Sequence, residues 1–179
     1  MKYLVLMISL IGCSPTVYNR GVPNLYQVDE CVWRSGQPTT LAQWQTIKSL
    51  GITHVAKLNF SQEASDDLAR SINLDVHDFA IEPRGDLDFI DSITHTFIHP
   101  DAQIVNSANE YINSFYPTCP NGKLLIHCTH GQDRTGFMVG LYRLLSYNWN
   151  KDQAYSEMIM YHFHPELHGL KDTWDDYEP

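Results

Sequence analysis

The feature that most constrains the fold of this chain is an apolar strand joined by a short loop to a helix that is apolar nearly all round. Leu124, Leu125 and Ile126 follow an Asn-Gly turn signal and form a short run typical of a strand buried on both faces. The helix predicted over about residues 134–147 carries apolar side chains on nearly every face, so we expect it to lie in the core. A buried strand that leads into a buried helix favours an α/β domain.

The remainder of the chain alternates between strand and helix patterns. These patterns predict helices at about residues 41–50, 61–72, 103–115 and 151–162, and strands at about 31–34, 53–60 and 76–81. Such an alternation predicts one three-layer α/β domain with a largely parallel central sheet flanked by helices. The length of 179 residues suits a single domain of this kind.

The first thirteen residues are predicted to lie outside this domain. A lysine is followed by an apolar run at residues 4–11, which is too short to span a bilayer and is typical of a signal peptide. The run ends at Gly12-Cys13, and a small residue just before a cysteine resembles the bacterial lipobox. The resemblance implies a signal peptide over 1–12, a lipid on Cys13, a tether over 13–29 and the domain over 30–179. The expected location is the bacterial cell envelope, with the cytoplasm as the alternative if the signal peptide is absent.

Charge and cysteine content narrow the classes of function. The chain has 21 acidic and 12 basic residues and a net charge of −9, which excludes general affinity for nucleic acid or for an anionic membrane surface. Four cysteines are too few for a disulfide scaffold in a chain of this length. With Cys13 lipidated, the sequence leaves open whether Cys31 pairs with Cys119, and Cys128 is then left as a free thiol.

The chemistry is predicted to lie in the loop between the buried strand and the buried helix, where residues 127–136 read His-Cys-Thr-His-Gly-Gln-Asp-Arg-Thr-Gly. Unpaired backbone N–H groups and the helix dipole make such a loop an anion site, and the same field favours the thiolate form of Cys128. Arg134 offers a planar fork for two phosphate oxygens, and Gly131 permits a tight turn. The Thr135 hydroxyl is expected to donate a hydrogen bond to the thiolate.

This Cys-x5-Arg pattern resembles the signature of the protein tyrosine phosphatase superfamily, in particular its dual-specificity branch. The segment Trp33-Arg34-Ser35-Gly36-Gln37-Pro38 is similar to the opening of bacterial, fungal and plant members of that branch. The resemblance implies two-step hydrolysis of phosphate monoesters through a thiophosphate on Cys128, without a metal or other cofactor. It also implies that His127 tunes Cys128 through hydrogen bonding. The implied substrate-binding residues are Thr129, His130, Gly131, Gln132, Asp133 and Arg134.

The superfamily also implies a general acid that protonates the leaving oxygen from a separate loop before the cysteine. The candidates are Asp86, Asp88, Asp91 and Asp101. His99-Pro100-Asp101 resembles the Trp-Pro-Asp loop of the family, so Asp101 is the expected acid and Asp86 the next choice. For each of these residues, the alternative is a helix cap or a solvated turn.

The expected substrate is phosphotyrosine or another monoester on a phosphorylated protein or small molecule, hydrolysed by a monomer. Inositol-polyphosphate hydrolysis is one alternative, but it would favour Lys or Arg in the loop, where Thr129, His130, Gln132 and Asp133 stand instead. An RNA 5′-triphosphatase has a similar loop but binds a polyanion, which the net charge disfavours. The last alternative is an inactive module that binds a phosphorylated ligand.

A histidine cluster near the C-terminus has spacing that a divalent metal can use, at His162, His164 and His168. Pro165 and Gly169 interrupt regular structure there, and no cysteine or carboxylate pattern completes a site. We therefore predict structural or surface histidines rather than a metal centre.

Overall fold

The computed structural model describes residues 21–83 and 100–178, in which five strands form one sheet. The strands are β1 Tyr26–Gln27, β2 Val32–Ser35, β3 Ile52–Lys57, β4 Asp75–Asp78 and β5 Lys123–His127. Their order is β1-β2-β5-β3-β4, with β1 antiparallel to β2 and the other neighbouring pairs parallel. The predicted α/β fold with a largely parallel sheet is confirmed.

Helices pack on both faces of this sheet. They are α1 Leu41–Ser49, α2 Asp67–Ser71, α3 Ala102–Asn113, α4 Asp133–Tyr147, α5 Lys151–Met160 and α6 His168–Asp176. Leu125 joins the apolar cluster on the α1 face, whereas Ile126 joins the larger cluster that contains most of α4. None of the helices in the described ranges combines the length and the apolar character needed to cross a membrane.

Two helices differ from the sequence prediction. The helix predicted over 61–72 is wrong in its first half, because the chain forms turns there and only α2 is helical. Side chains bond the local backbone instead: Phe60 N–H donates to Glu63 and Asp67 N–H donates to Ser65. Such side-chain bonds compete with the helical pattern. Helix α6, which buries Leu170 and Trp174, was not predicted.

A disulfide joins Cys31, just before β2, to Cys119, in the turn region before β5. Their Cα atoms lie 5.1 Å apart, and 88 residues separate them in the sequence. The structure therefore resolves the pairing that the sequence left open, and among the described residues Cys128 is the free cysteine.

Candidate active site

The loop between β5 and α4 lies at the sheet edge where three parallel strands end. In the sheet register, His127 at the end of β5 lies beside Ser35 of β2 and Lys57 of β3. The segments that follow β2 and β3 therefore reach the same edge as Cys128. Ligands of open α/β sheets bind at the carboxyl ends of the strands, which is where this loop lies.

Cys128 is the first residue after β5 and is 3% exposed. The Gly131 N–H donates a hydrogen bond to Cys128 Sγ at 3.3 Å, so the loop curls around the sulfur. Cys128 lines a cavity of about 440 Å³. The other lining residues in the described ranges are Glu63, Pro83, Thr129, His130, Gln132, Asp133, Arg134, His164, Glu166 and Leu167. The structure thus brings five of the six predicted substrate-binding residues to one cavity, and Gly131 is not among the residues that line it.

Gly131 is the point where the loop meets the segment after β2. Its φ is +74°, and a Cβ there would lie 2.4 Å from the backbone nitrogen of Gly36, so only glycine fits. The Gln37 N–H donates to the Thr129 carbonyl at 3.1 Å, and Arg34 Nη2 donates to the Gly131 carbonyl at 2.9 Å. Residues 33–38, which resemble the opening segment of the dual-specificity branch, therefore contact the loop of residues 127–136 directly. This loop, which carries Cys128, is called the nucleophile loop below.

Arg134 faces the cavity and binds the carboxylate of Glu63 with both terminal nitrogens. Nη1 lies 2.6 Å from Oε1 and Nη2 lies 2.7 Å from Oε2, and Nη2 also donates to Thr129 Oγ1 at 3.2 Å. These hydrogen bonds from Arg134 are the main reason why the pKa of Glu63 is lowered to about 2. Glu63 is a functional candidate that the sequence did not reveal, since nothing local marks a partner 71 residues away.

His127 is fully buried and bonds Asp66 rather than the nucleophile. Its Nε2 lies 2.8 Å from Asp66 Oδ2, and Gln37 Nε2 donates to Asp66 Oδ1 at 2.7 Å. Burial alone would raise the pKa of Asp66, but the hydrogen bond and charge of His127 bring it below its ordinary value. No hydrogen bond from the His127 ring to Cys128 is present, and Nδ1 has no partner among the described residues. The predicted hydrogen bond between His127 and Cys128 is therefore not found, because Asp66 fixes the ring.

The hydrogen bond predicted from Thr135 to Cys128 is also absent. Thr135 lies in the first turn of α4 and is fully buried, but its Oγ1 has no hydrogen-bond partner within the described part of the chain. Sulfur is a weak acceptor, and the strong donor to Sγ in this loop is the Gly131 N–H.

His164 lies in the cavity wall, bound to the nucleophile loop. Its ring Nδ1 lies 2.9 Å from Asp133 Oδ1, and its backbone N–H donates to the same oxygen at 2.8 Å. The hydrogen bond to Asp133 raises the pKa of His164. Within residues 21–83 and 100–178, no three His, Cys, Asp or Glu side chains are grouped as a metal site. His164 is thus a surface histidine with a defined partner at the site, a location that the sequence did not indicate.

Asp101 caps α3 and is not among the described residues that line the cavity. Its Oδ1 accepts hydrogen bonds from the N–H groups of Gln103 at 2.8 Å and Ile104 at 3.4 Å. The side chain is exposed and in the geometry of an N-cap. The other predicted candidates, Asp86, Asp88 and Asp91, lie outside the described residues.

Comparison with known families agrees with this arrangement of a strand, a cysteine loop and a buried helix. The model of the tyrosine phosphatase family matches residues 28–149, which is more than half of the chain. The chain therefore belongs to the tyrosine phosphatase family.

Among curated proteins, a short stretch is similar to the dual specificity protein phosphatase TpbA of Pseudomonas aeruginosa, recorded in two strains. The two chains are 43% identical over 37 residues, a stretch that covers 21% of this chain and 17% of the relative. The match thus spans about a sixth of the length of that relative.

Solved structures share the fold over most of the chain. The crystal structure of P. aeruginosa TpbA has a TM-score of 0.61 at 17% identity, covering 92% of this chain and 90% of TpbA. A cysteine-to-serine variant of TpbA in complex with phosphotyrosine gives 0.62 at 17% identity, with 95% and 93% covered. The catalytic core of the PP-IP phosphatase SIW14 from S. cerevisiae gives 0.64 at 18% identity, with 88% and 87% covered. At these identities the likeness shows the shared fold.

Proposed function

We propose that this chain is a cysteine-dependent phosphatase that hydrolyses phosphate monoesters, with phosphotyrosine or another protein phosphate as substrate. The observation that carries the proposal is the free thiol of Cys128, which accepts a loop N–H and lines one cavity together with Arg134. A thiol in a loop at the N-terminus of a buried helix, beside a guanidinium, is a nucleophile next to an oxyanion site.

In the first step, the Cys128 thiolate attacks phosphorus, the S–P bond forms and the ester P–O bond breaks. The leaving oxygen takes a proton from a general acid. In the second step, water attacks the thiophosphate, the P–S bond breaks and inorganic phosphate leaves. Throughout both steps, the loop N–H groups and Arg134 stabilise charge on the three transferred oxygens.

Phosphate binding requires a rearrangement at Arg134. Its two terminal nitrogens already donate to Glu63, to Thr129 and, at 3.5 Å, to the Ile81 carbonyl. A guanidinium has five N–H donors, so an arriving phosphate must displace at least one of these acceptors to be held by two. We expect Glu63 to be displaced, because its carboxylate takes the paired geometry that a phosphate would use.

The general acid is proposed to be Asp101, and its cap geometry dictates how to test this. Asp101→Ala removes both the carboxyl group and the cap, whereas Asp101→Ser keeps the cap and removes only the acid. If Asp101 is the acid, both variants lose kcat on a phosphotyrosine peptide to a similar extent. Full kcat in Asp101→Ser would move the role elsewhere, with Asp86→Asn, Asp88→Asn and Asp91→Asn as the next variants.

The charge of the cavity wall supports a monoester rather than a polyphosphate as substrate. Three carboxylates, those of Glu63, Asp133 and Glu166, lie in the described wall, and no lysine does. A substrate with several phosphates would meet these carboxylates with its additional negative charge. The fold shared with SIW14 keeps inositol phosphates as the second candidate, and the fold shared with the phosphotyrosine-bound TpbA supports the first.

The proposed location is the bacterial cell envelope, with the chain acting as a monomer anchored through lipid on Cys13. The support is the sequence order alone, since Cys13 lies outside the described residues. Partition of the expressed full chain between detergent and aqueous phases tests the anchor. The chain is expected in the detergent phase and Cys13→Ser in the aqueous phase, and equal partition of the two would contradict it.

The test of the function is hydrolysis of p-nitrophenyl phosphate, a phosphotyrosine peptide and inositol hexakisphosphate by the full chain, with EDTA present and Cys128 reduced. We expect turnover on the first two that survives EDTA and disappears in Cys128→Ser, while Cys13→Ser stays active as the matched control. Turnover only on the inositol phosphate would select the second candidate. A folded chain with an intact thiol and no turnover on any of the three would contradict the proposal.

A further inference from the structure

Arg34 is a buried cation without a carboxylate partner. It lies in β2, is 1% exposed, and within the described ranges its one hydrogen bond runs from Nη2 to the Gly131 carbonyl at 2.9 Å. Its Nε and Nη1 have no hydrogen-bond partner there. A buried charge in this state is costly unless some other group compensates it.

The position of Arg34 increases the free-energy cost of burying its charge. Arg34 lies beside Ile126 in the sheet register, and its Nη2 is 3.7 Å from the place where a Cβ on Gly136 would be. Gly136 belongs to the first turn of α4, whose N-terminus carries positive potential. The helix dipole therefore opposes the guanidinium, and a negative charge close to this end of α4 would stabilise both.

The other basic side chains around the nucleophile loop already have carboxylate partners. Besides the pairs of Arg134 with Glu63, His127 with Asp66 and His164 with Asp133, the buried Lys57 has Asp78 at 3.4 Å. Near Arg34, the carboxylate of Glu157 is itself bound by Arg143 at 2.8 Å and 3.0 Å. Among the described residues, Arg34 is thus the cation of this region left without a carboxylate of its own.

We propose that Arg34 is a positioning residue whose counter-ion is the Cys128 thiolate, so that it stabilises the thiolate from the interior side of the loop while holding the Gly131 carbonyl. The connection is short: Arg34 bonds the Gly131 carbonyl, and the Gly131 N–H bonds Cys128 Sγ. Glu157, which Arg143 already binds, and the Cys128 thiolate both act on Arg34, so protonation of Cys128 removes one of these two negative charges. The charge on Arg34 therefore favours the reactive form of the nucleophile.

Tyr161 keeps water away from this charge. Its ring centroid lies 4.2 Å from Arg34 Cζ, and the Tyr26 ring packs edge-on against Tyr161 at 4.7 Å. Burial lowers the pKa of Arg34 to about 10, so the side chain still carries its charge at neutral pH. In water-free surroundings such a charge acts over a longer range than at the surface.

The test is the rate at which iodoacetamide alkylates Cys128 in the full chain across pH, followed by mass spectrometry of the Cys128 peptide. Arg34→Gln removes the charge and keeps a donor for the Gly131 carbonyl, and we expect its profile to move up by about one pH unit, a tenfold slower reaction on the rising limb. Arg34→Lys keeps the charge and is expected to react within about threefold of the unmodified chain. A purely structural role would change loop stability without moving the profile.

Arg70→Gln is the control substitution, since Arg70 of α2 has its own carboxylates in Asp67 and Asp78, neither of which acts on Arg34. It is expected to leave the alkylation profile in place. A profile of Arg34→Gln that superposes on that of the unmodified chain, or one of Arg34→Lys that matches Arg34→Gln, would overturn the proposal. If Arg34→Gln does not fold, Tyr161→Leu decides, because it admits water to an intact Arg34. It should shift the profile in the same direction by less, and no shift would overturn the proposal.

This inference deepens the proposed function and rests on Cys128 being its nucleophile. Alkylation needs no phosphate ester, so its outcome is separate from that of the activity assay. A chain without phosphatase activity that still shows the Arg34-dependent profile would refute the function and keep the inference. An active phosphatase whose alkylation profile does not shift in Arg34→Gln would keep the proposed function and refute the inference.

Discussion

Two arginines lie at the loop that carries Cys128, and they differ in their hydrogen-bond partners. Arg134 faces the cavity, whereas Arg34 lies in the protein interior. Arg134 is bound by both oxygens of Glu63, whereas Arg34 makes a single hydrogen bond to the Gly131 carbonyl. The cavity-side charge is thus neutralised until a phosphate takes the place of Glu63. The interior charge is acted on by the Glu157 carboxylate, which Arg143 already binds, and by the Cys128 thiolate. The difference indicates that Arg134 binds the substrate phosphate, whereas Arg34 stabilises the thiolate form of Cys128.

The largest effect is expected from Arg134→Lys, which keeps the charge but loses the fork. Lysine cannot hold two phosphate oxygens at once, so kcat/KM for p-nitrophenyl phosphate should fall by roughly 10²–10³-fold. Steady-state kinetics of the purified variant measures this. Arg34→Lys is the matched substitution at the other arginine and should lose less than about tenfold. Equal losses at the two positions would break the comparison.

The next effect concerns the buried contact between Asp66 and His127 and is tested with Asp66→Asn. Removing one partner of a buried pair costs about 3 kcal/mol in the free energy of unfolding at pH 7. Because the pKa of Asp66 is lowered in the fold, its stabilisation is present above the ordinary pKa of an aspartate and is lost as the pH falls below it. Urea unfolding at pH 7 and at pH 3.5 should therefore show a large difference that shrinks in acid. A penalty independent of pH would contradict the ionic role of Asp66.

The sequence predicted the loop because its chemistry is local: cysteine, glycine and arginine act together within residues 127–136, between a strand and a helix that are both marked by their apolar pattern. The partners were not predicted, because they are distant in sequence. The contacts of Asp66, Glu63 and Arg34 with the loop region span 61, 71 and 97 residues. These side chains come together only in the folded chain, at the carboxyl ends of the parallel strands.

The two helices that the sequence analysis predicted wrongly or did not predict are short or polar. Helix α2 covers five residues and follows turns held by side-chain bonds, which periodicity does not register. Helix α6 offers only Leu170 and Trp174 as an apolar pair at helical spacing. The role of Asp101 is hard to read from sequence for another reason: the same residue is the general-acid candidate and, in the structure, the N-cap of α3.

A smaller effect is expected from Glu63→Gln. This substitution removes the carboxylate partner of Arg134, so that Arg134, like Arg34, has no carboxylate of its own. The neutral amide competes less well than the carboxylate for Arg134, so KM for p-nitrophenyl phosphate should fall about three- to fivefold while kcat changes less than twofold. Inhibition by inorganic phosphate should tighten by the same factor. A rise in KM would show instead that Glu63 aligns Arg134 for substrate.

The same carboxylate predicts a pH effect on stability. The pKa of Glu63 is lowered to about 2 by Arg134, so the stabilisation is complete above the ordinary glutamate pKa and is lost as the pH falls from there toward 2. Unfolding of the chain and of Glu63→Gln should therefore differ at neutral pH and converge in acid. A difference that grows in acid would contradict the ion pair.

The smallest effect is expected at His164, which is half exposed. Its pKa is raised by Asp133, so its contribution to stability is fully present below the ordinary histidine pKa and is lost as the pH rises through the raised value. His164→Ala should lower the melting temperature slightly at pH 5.5 and hardly at pH 9. An effect of His164→Ala that persists unchanged at pH 9 would assign it to packing.

The central claim is that Cys128 carries the phosphate between the two steps, and trapping that intermediate tests it most directly. The full chain is mixed with a phosphotyrosine peptide, quenched within the first turnovers under conditions that preserve thiophosphate, digested and examined by mass spectrometry. We predict a phosphate on the peptide that contains Cys128, formed and lost at rates that match turnover. Steady hydrolysis with no phosphate on Cys128, or with phosphate on another residue, would contradict the account.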